Sequence, residues 1–281
     1  MHRIGVIGGG TMGAGIAEVA ARAGGDVLVL ERDTDTAYAA RARIAKSITR
    51  AVEAGKLDPD AADAAADRIA LTTDIDDFAD RELVIEAAPE IEDLKVEFFT
   101  KLDTIVTPEA ILATNTSSIP VIRIANATAH PGRVVGVHFF NPVPVLPLVE
   151  IVATLKTDRA VLETVTAYAR GTLGKRTIES KDRAGFVVNA LLIPYLCAAI
   201  RMAESGFASV ADIDEGMTTG CAHPMGPLRL ADTIGLDVTL AIAESLHAEF
   251  RERQYVPPLL LRRMVDAGYL GRKTGRGFYS Y

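Results

Sequence analysis

Short apolar runs alternate with longer amphipathic stretches through the first half of the chain. Several of these runs are continuous in Val, Ile and Leu, a pattern typical of strands that are buried on both faces of a parallel sheet. The predicted strands are Arg3–Ile7, Asp26–Glu31, Glu82–Ala87, Ala110–Thr114, Arg133–His138 and Leu148–Val152. Strands that alternate with helical segments indicate an α/β doubly wound domain.

One segment interrupts this alternation after the second predicted strand. It runs from Thr34 to about Ala70, is rich in Ala and Arg, and carries Ile44, Ile48 and Val52 at helical spacing. Gly55-Lys56-Leu57-Asp58-Pro59 divides it, because Gly and Pro punctuate helices. The segment therefore predicts two helices that form an arm on the sheet domain.

Strand patterns end near Gly185. Four helices are predicted beyond this point: Phe186–Ser205, Ser209–Thr219, Asp232–Arg253 and Leu259–Ala267. We therefore predict two domains, a sheet domain over residues 1–184 and an all-α domain over residues 185–281.

Composition excludes several classes of partner. With Lys+Arg 30 and Asp+Glu 37, the net charge is −7, which argues against a general nucleic-acid binder. Cys197 and Cys221 form no disulfide framework, which indicates a reducing compartment. The chain enters a strand at Arg3 without a targeting segment, and its longest uncharged run, Ala184–Ile200, is shorter than the ~20 residues of a membrane helix. These features predict a cytoplasmic protein with no membrane partner.

Glycines follow the first strand in the pattern GxGxxG, at Gly8, Gly10 and Gly13, with Thr11 and Met12 between the last two. A glycine-rich loop without a ligand would show the same letters, but here the pattern also opens a helix. That context is typical of a Rossmann-type dinucleotide site, where the helix N-terminus faces the pyrophosphate.

Glu31 ends the second predicted strand, 23 residues after Gly8. An acidic residue there accepts hydrogen bonds from the ribose hydroxyls and repels a 2′-phosphate, which favours NAD over NADP. Arg32 leaves NADP open, because an arginine beside the acid accommodates a 2′-phosphate.

His138 ends a buried-looking strand, at the sheet edge where doubly wound domains bind ligands. A histidine there either serves in proton transfer or is a core side chain satisfied by the backbone. Glu150 lies in an apolar run, so its carboxylate either faces solvent on an edge strand or has a buried partner. If the Pro-rich segment 142–147 folds the chain back, the partner is His138, and the pair resembles the acid–imidazole pairs of other catalytic sites.

Other polar positions are ambiguous when judged by pattern alone. Asn115-Thr116-Ser117-Ser118 follows a strand end and is also typical of a turn or helix cap. Glu90 and Lys95 follow another strand and match a solvated helix start. Asn189 falls within a predicted apolar helix, where it needs a polar partner.

Taken together, these residues resemble the 3-hydroxyacyl-CoA dehydrogenase family, most closely its bacterial single-function 3-hydroxybutyryl-CoA dehydrogenases. The resemblance covers essentially the whole chain. Its motifs are Ile7–Ala17, Asn115–Ser118, His138–Pro144, Gly185–Asn189, His223–Pro227 and Gly271–Tyr279.

The resemblance implies a role for each matching position. It makes His138 the catalytic base, Glu150 its acidic partner, and Ser117 and Asn189 contacts to the reacting oxygen of the substrate. Contacts to the nicotinamide half of NAD are implied for four residues, namely Glu90, Lys95, Asn141 and Lys273. The arm carries the coenzyme A contacts in relatives, and Ser47 matches one of these positions. A lysine that relatives often have further along the arm is replaced by Ala54 in this chain, with Lys56 and Arg50 nearby. No metal is implied.

The implied activity is NAD-dependent, reversible oxidation of a short-chain (S)-3-hydroxyacyl-CoA to the 3-ketoacyl-CoA, with 3-hydroxybutyryl-CoA and acetoacetyl-CoA as the pair. The resemblance also implies a homodimer formed through the helical domain. Fatty acid metabolism, polyester metabolism and reductive C4 synthesis all accommodate this reaction. Two alternatives stay open: a dehydrogenase for 3-hydroxyacyl groups on acyl carrier protein, kept open by the altered arm, and a non-catalytic NAD-binding protein on the same scaffold.

Overall fold

The computed structural model describes all 281 residues. The chain forms two compact units, Met1–Arg183 and Ala184–Tyr281, and each has its own hydrophobic core. None of its helices combines the length and the apolar character that crossing a membrane requires.

The first unit contains one eight-stranded sheet. Its strands are β1 Arg3–Ile7, β2 Asp26–Leu30, β3 Ile69–Thr72, β4 Leu83–Glu86, β5 Ile111–Thr114, β6 Val134–Phe139, β7 Leu148–Ala153 and β8 Arg176–Lys181. The helices of this unit are α1 Thr11–Arg22, α2 Thr34–Glu53, α3 Pro59–Asp67, α4 Glu92–Ile105, α5 Val121–Ala125 and α6 Arg159–Ala167.

The strand order is β3-β2-β1-β4-β5-β6-β7-β8, and every neighbouring pair is parallel except β6 and β7. The first six strands in this order have the Rossmann arrangement, whose topological switch point lies between β1 and β4. The prediction of a Rossmann-type α/β fold followed by an all-α part is confirmed.

Two strands are absent from the sequence prediction. β3 has one fully buried residue, Ile69, and β8 has none, so neither presents the continuous apolar run that marks the central strands. Both lie at the outer edges of the sheet, where one side of the ladder lacks a neighbour. The antiparallel β7 lies between β6 and β8, which places Glu150 inside the sheet rather than on an edge strand.

The arm consists of two helices, as predicted. α2 begins after Asp33, whose carboxylate accepts a hydrogen bond from the Thr36 N–H in a capping box. Gly55, with φ +64°, follows its end, and α3 begins at Pro59. α2 buries Ala40, Ile44 and Ile48, and the two isoleucines belong to the core of the first unit, so this helix is packed onto the sheet domain.

The second unit is all helical. Its helices are α7 Val188–Glu204, α8 Val210–Gly220, α9 Pro227–Ile234, α10 Leu236–Phe250 and α11 Leu259–Asp266. The predicted single helix Asp232–Arg253 is wrong, because Gly235, with φ +106°, separates α9 from α10. The predicted start of α7 at Phe186 is also wrong, since Phe186 has a left-handed φ of 46° and the helix begins at Val188.

Candidate active site

The glycine loop between β1 and α1 has the geometry of a dinucleotide cradle. Gly8 has φ +86°, a conformation that side chains disfavour, and a Cβ on Gly13 would lie 1.7 Å from the carbonyl oxygen of Gly8. A Cβ on Gly10 would meet no atom within 4 Å, so this side of the loop is open to a ligand. Gly10 caps α1 without a side-chain hydrogen bond, which leaves the first N–H groups of the helix to an anion. These residues fit a bound pyrophosphate.

Glu31 is the first residue after β2 and lies against this loop. Its Oε1 accepts a hydrogen bond of 2.6 Å from the N–H of Gly9, which holds the carboxylate against the glycine loop, where an acidic residue of a Rossmann fold typically meets a ribose. Arg32 is 81% exposed in its side chain and pairs with Asp33 at 2.9 Å. The residue that reaches the loop instead is Arg43 of α2, whose Nη1 donates to the carbonyl of Gly9 at 2.5 Å.

His138 and Glu150 face each other across the antiparallel pair β6–β7. The distance from His138 Nδ1 to Glu150 Oε2 is 2.7 Å, and Glu150 is fully buried while His138 is 5% exposed. The His138 ring also lies edge-to-face against Phe140, with ring centroids 4.6 Å apart. With Nδ1 engaged by the carboxylate, Nε2 is the nitrogen with which the ring would exchange a proton with a substrate.

The segment after His138 is fixed from two sides. Asn115 Oδ1 accepts a hydrogen bond from the N–H of Phe139 at 2.8 Å, which ties the end of β6 to the loop after β5. Nζ of the buried Lys175 donates to the carbonyls of Val143 and Leu146 at 2.6 and 2.8 Å. Burial, together with the nearby charge of Arg22, lowers the pKa of Lys175, partly offset by Glu18. Asn141 is exposed on this segment.

Lys95 does not lie at a solvated helix start. It is 1% exposed, and its Nζ pairs with Glu86 at 2.6 Å and with Glu90 at 3.2 Å. The pattern alone indicated an exposed side chain, because a lysine near the start of a helix usually reaches solvent. The buried Glu86 at the end of β4 accounts for the difference, since it supplies the opposite charge that a buried ammonium requires.

The remaining predicted residues lie on the arm and in the second unit. Ser47 is half-buried on α2, and Lys56 is exposed between α2 and α3. Asn189 is 8% exposed and lies in the first turn of α7, not mid-helix as the pattern suggested. Lys273 forms an ion pair of 2.5 Å with Asp237. Their predicted contacts stay predictions.

Two family models together span the chain. The 3-hydroxyacyl-CoA dehydrogenase NAD-binding domain matches residues 3–183, and the C-terminal domain of the same family matches residues 185–281. The chain belongs to the 3-hydroxyacyl-CoA dehydrogenase family. A 3-hydroxybutyryl-CoA dehydrogenase of Mycobacterium tuberculosis is 55% identical over 100% of this chain and 99% of its own.

Solved structures of 3-hydroxyacyl-CoA dehydrogenase relatives agree with this family membership. The crystal structure of Mycobacterium tuberculosis FadB2 has a TM-score of 0.99 at 55% identity and covers 100% of this chain and 99% of its own. The (S)-3-hydroxybutyryl-CoA dehydrogenase PaaH1 from Ralstonia eutropha has a TM-score of 0.94 at 44% identity, with the same coverage.

Within this 3-hydroxyacyl-CoA dehydrogenase, sequence reasoning missed three polar residues near the predicted site. Arg43 contacts the glycine loop, Glu86 pairs with Lys95, and Lys175 holds the segment after His138. Arg43 and Lys175 carried no signal, because a basic residue in a helix or beside a glycine is ordinary surface sequence. A carboxylate ending the buried run Leu83–Glu86 was the one available sign for Glu86.

Proposed function

We propose that this protein catalyses the reversible, NAD-dependent oxidation of an (S)-3-hydroxyacyl-CoA to the 3-ketoacyl-CoA, with 3-hydroxybutyryl-CoA and acetoacetyl-CoA as its substrate pair. The observation that carries the proposal is the buried His138–Glu150 pair at 2.7 Å, on β6 and β7 of the sheet whose β1 leads into the dinucleotide cradle. An imidazole with an oriented Nδ1 and a buried anionic partner suits general acid–base chemistry near neutral pH.

In oxidation, Nε2 of His138 takes the proton of the 3-hydroxyl group as the C3–H bond breaks. NAD, when bound, supplies the acceptor for the hydride from C3. The Glu150 carboxylate fixes the tautomer and ring orientation and stabilises the positive charge that develops on His138. In reduction, the imidazolium returns this proton to the 3-keto oxygen.

Binding is assigned to the residues around this pair. Gly8, Gly10, Thr11, Met12 and Gly13 receive the pyrophosphate, and Glu31 receives the adenosine ribose. Ser117 contacts the reacting oxygen, and Glu90, Lys95 and Asn141 are assigned to the nicotinamide side. Ser47 and Lys56 are assigned to coenzyme A. These assignments rest on the family resemblance of each position.

The second unit is assigned three roles. We propose that Asn189 contacts the substrate oxygen, that Lys273 serves cofactor binding, and that helices of this unit form a homodimer. Light scattering of the purified protein tests the last assignment, for which a mass of 29.9 kDa in solution would be the contrary result.

The test of the proposed reaction is NADH consumption by the purified protein with acetoacetyl-CoA. We expect rapid turnover, and much slower turnover when the acetoacetyl group is carried on acyl carrier protein. Turnover only with the carrier-protein thioester would replace coenzyme A as the substrate carrier. Intact NADH binding without turnover on either thioester would favour the non-catalytic alternative.

A further inference from the structure

The loop that follows β5 is held by one carboxylate. Oε1 of Glu90 accepts four hydrogen bonds from this loop, and the donors are Thr116 Oγ1, the N–H of Ser117, the N–H of Ser118 and Ser118 Oγ, at 2.5, 3.0, 3.1 and 2.9 Å. Glu90 is thus the acceptor around which residues 116–118 fold. Ser117, to which the proposed function assigns the reacting oxygen, is the middle residue of this loop.

Glu90 is itself held by a buried ion pair. Lys95 Nζ contacts Glu90 Oε2 at 3.2 Å and Glu86 Oε1 at 2.6 Å, and it donates to the carbonyl of Ala88 at 3.3 Å. Lys95 is 1% exposed and Glu86 is fully buried. A buried pair of this kind is strongly destabilised when either partner is removed, because the charge that remains is uncompensated.

The contacts close into a ring. The other oxygen of Glu86 accepts a hydrogen bond from Thr114 Oγ1 at 2.7 Å, and Thr114 is the last residue of β5, directly before the loop. The ring therefore runs from the end of β5 through Glu86, Lys95 and Glu90 back to residues 116–118. Both ends of one short segment are fixed by the same three charged side chains.

The Glu90 carboxylate stays ionised in this setting. Partial burial opposes the charged form, but the Lys95 ammonium and the hydrogen bonds from Thr116, Ser117 and Ser118 outweigh it, so the pKa of Glu90 lies below its ordinary value. The carboxylate is therefore ionised at neutral pH and available as a hydrogen-bond acceptor.

We propose that Glu90 is a positioning residue that acts through Ser117, with the buried Lys95–Glu86 pair fixing its carboxylate. The proposal rests on the role assigned to Ser117 under the proposed function. It adds a task to the nicotinamide-side assignment of Glu90 and Lys95, because the structure also commits their polar atoms to the loop and to each other.

A double-mutant cycle tests this proposal with the complete protein, acetoacetyl-CoA and NADH. The variants are Glu90→Gln, Ser117→Ala and the double variant, with Glu97→Gln as control, because Glu97 is an exposed carboxylate of α4 that pairs with Lys101. Small misplacement of a substrate-positioning group costs up to roughly 10²-fold in rate. We expect Glu90→Gln to lower kcat roughly 10- to 100-fold, with the Kd for NADH within about twofold of wild type.

The rate of the double variant decides the test, because the effects of substitutions at residues that act as one unit are not additive. We expect the double variant to turn over at nearly the rate of Ser117→Ala alone. Multiplication of the two single losses would overturn the proposal. So would a raised Kd for NADH in Glu90→Gln with kcat unchanged, which is the behaviour of a direct cofactor contact. Wild-type activity of Ser117→Ala would instead remove the role assigned to Ser117, and the inference with it.

A second variant covers the case in which Glu90→Gln does not fold. The combined change Glu86→Gln with Lys95→Met removes both fully buried charges together. The Glu90 carboxylate, 37% exposed in its side chain, then keeps its charge without the Lys95 counter-ion. We expect this variant to have a lowered kcat and a near-normal Kd for NADH. Combined with Ser117→Ala, it should turn over at nearly the rate of Ser117→Ala alone. A wild-type kcat in this variant would show that the buried pair does not fix Glu90.

Discussion

Replacing Glu150 by Gln isolates the charge of the His138–Glu150 pair from its shape. Glutamine keeps the length of the side chain and an amide oxygen that accepts the Nδ1–H of His138. The ring orientation and tautomer are thus retained, while the negative charge facing the ring at 2.7 Å is lost. Because Glu150 is fully buried, no solvent replaces that charge.

The size of the effect follows from the hydrogen bond that changes character. A hydrogen bond to a charged group contributes about 1.5–3 kcal/mol and a neutral one about 0.5–1.5 kcal/mol, so exchanging the first for the second costs about 1–1.5 kcal/mol. A cost of about 1.36 kcal/mol changes a rate tenfold. The imidazolium forms as the proton leaves the hydroxyl, so the loss falls on the transition state rather than on the bound reactants. We therefore expect kcat to fall about 5- to 13-fold, with the Kd for NADH unchanged within about twofold.

The assay follows NADH formation from NAD at saturating (S)-3-hydroxybutyryl-CoA, the direction in which His138 becomes protonated, with NADH binding measured separately by fluorescence titration. Glu163→Gln is the matched control, because Glu163 is 65% exposed on α6 and pairs only at the surface with Arg159. Thermal unfolding checks that the Glu150 variant is folded. A folded Glu150→Gln protein with kcat within twofold of wild type would refute the electrostatic role of the pair, and a loss confined to NADH affinity would move Glu150 out of the chemistry.

Three further outcomes are expected. His138→Ala should lose roughly 10²- to 10⁴-fold in kcat with NADH affinity nearly intact, and full activity would exclude it as the base. Gly10→Ala should fold normally yet bind NADH weakly. Gly13→Ala should bind NADH weakly and also lower the unfolding temperature, because of the two added Cβ atoms only the one on residue 13 collides with backbone. Equal unfolding temperatures of the two variants would contradict the cradle geometry. Asp103→Asn should destabilise the protein by about 1.5–3 kcal/mol at pH 7 in urea melts. Burial raises the pKa of Asp103, but Arg133 holds that pKa below its ordinary value. The difference in unfolding free energy between wild type and Asp103→Asn should therefore shrink as the pH falls below about 4. A difference that stays constant with pH would contradict this role of Asp103.

The central strands and the dinucleotide loop could be predicted because each leaves a local signal. A run such as Leu83–Glu86 is buried at every position, and each of its residues before Glu86 is apolar. The glycine pattern is also partly local, since a Cβ on Gly13 would collide with the carbonyl of Gly8, whose φ of +86° itself favours glycine. Predicted strand boundaries differ from the structure by one residue at most, since the turn residues that end each strand are also local.

The edge strands and the division of the helical unit could not be predicted, because they depend on contacts between residues that are distant in the sequence. β3 and β8 are defined by their ladders to β2 and β7, and their own residues are mostly half-buried or exposed. Gly235 lies in an otherwise continuous helical pattern, and nothing near it specifies φ +106°. Its conformation accompanies the hydrogen bond from the N–H of Leu236 to the carbonyl of Leu270, a distant residue.

The same distinction separates the parts of the candidate site. His138 and Glu150 stood out because each is a charged or titratable side chain in an apolar run. Lys95 did not, since its helix is amphipathic and a lysine there ordinarily reaches water. Its burial depends on Glu86 of a separate strand and on the loop after β5, and a sequence pattern of one segment contains neither.

The reversal of direction at β7 is what brings the acid to the base. Along a parallel sheet, polar groups collect beyond the carboxyl ends of successive strands, and returning to a parallel neighbour requires a crossover of a dozen or more residues. Here residues 140–147 suffice, because β7 runs antiparallel and starts at the edge where β6 ends. Residues directly opposite in such a pair point to the same face with Cβ atoms about 4.5–5.5 Å apart, so the register His138↔Glu150 fixes the contact. A one-residue shift of that register would turn Glu150 to the other face, and for this reason the ladder between β6 and β7 is as much a part of the site as the two side chains.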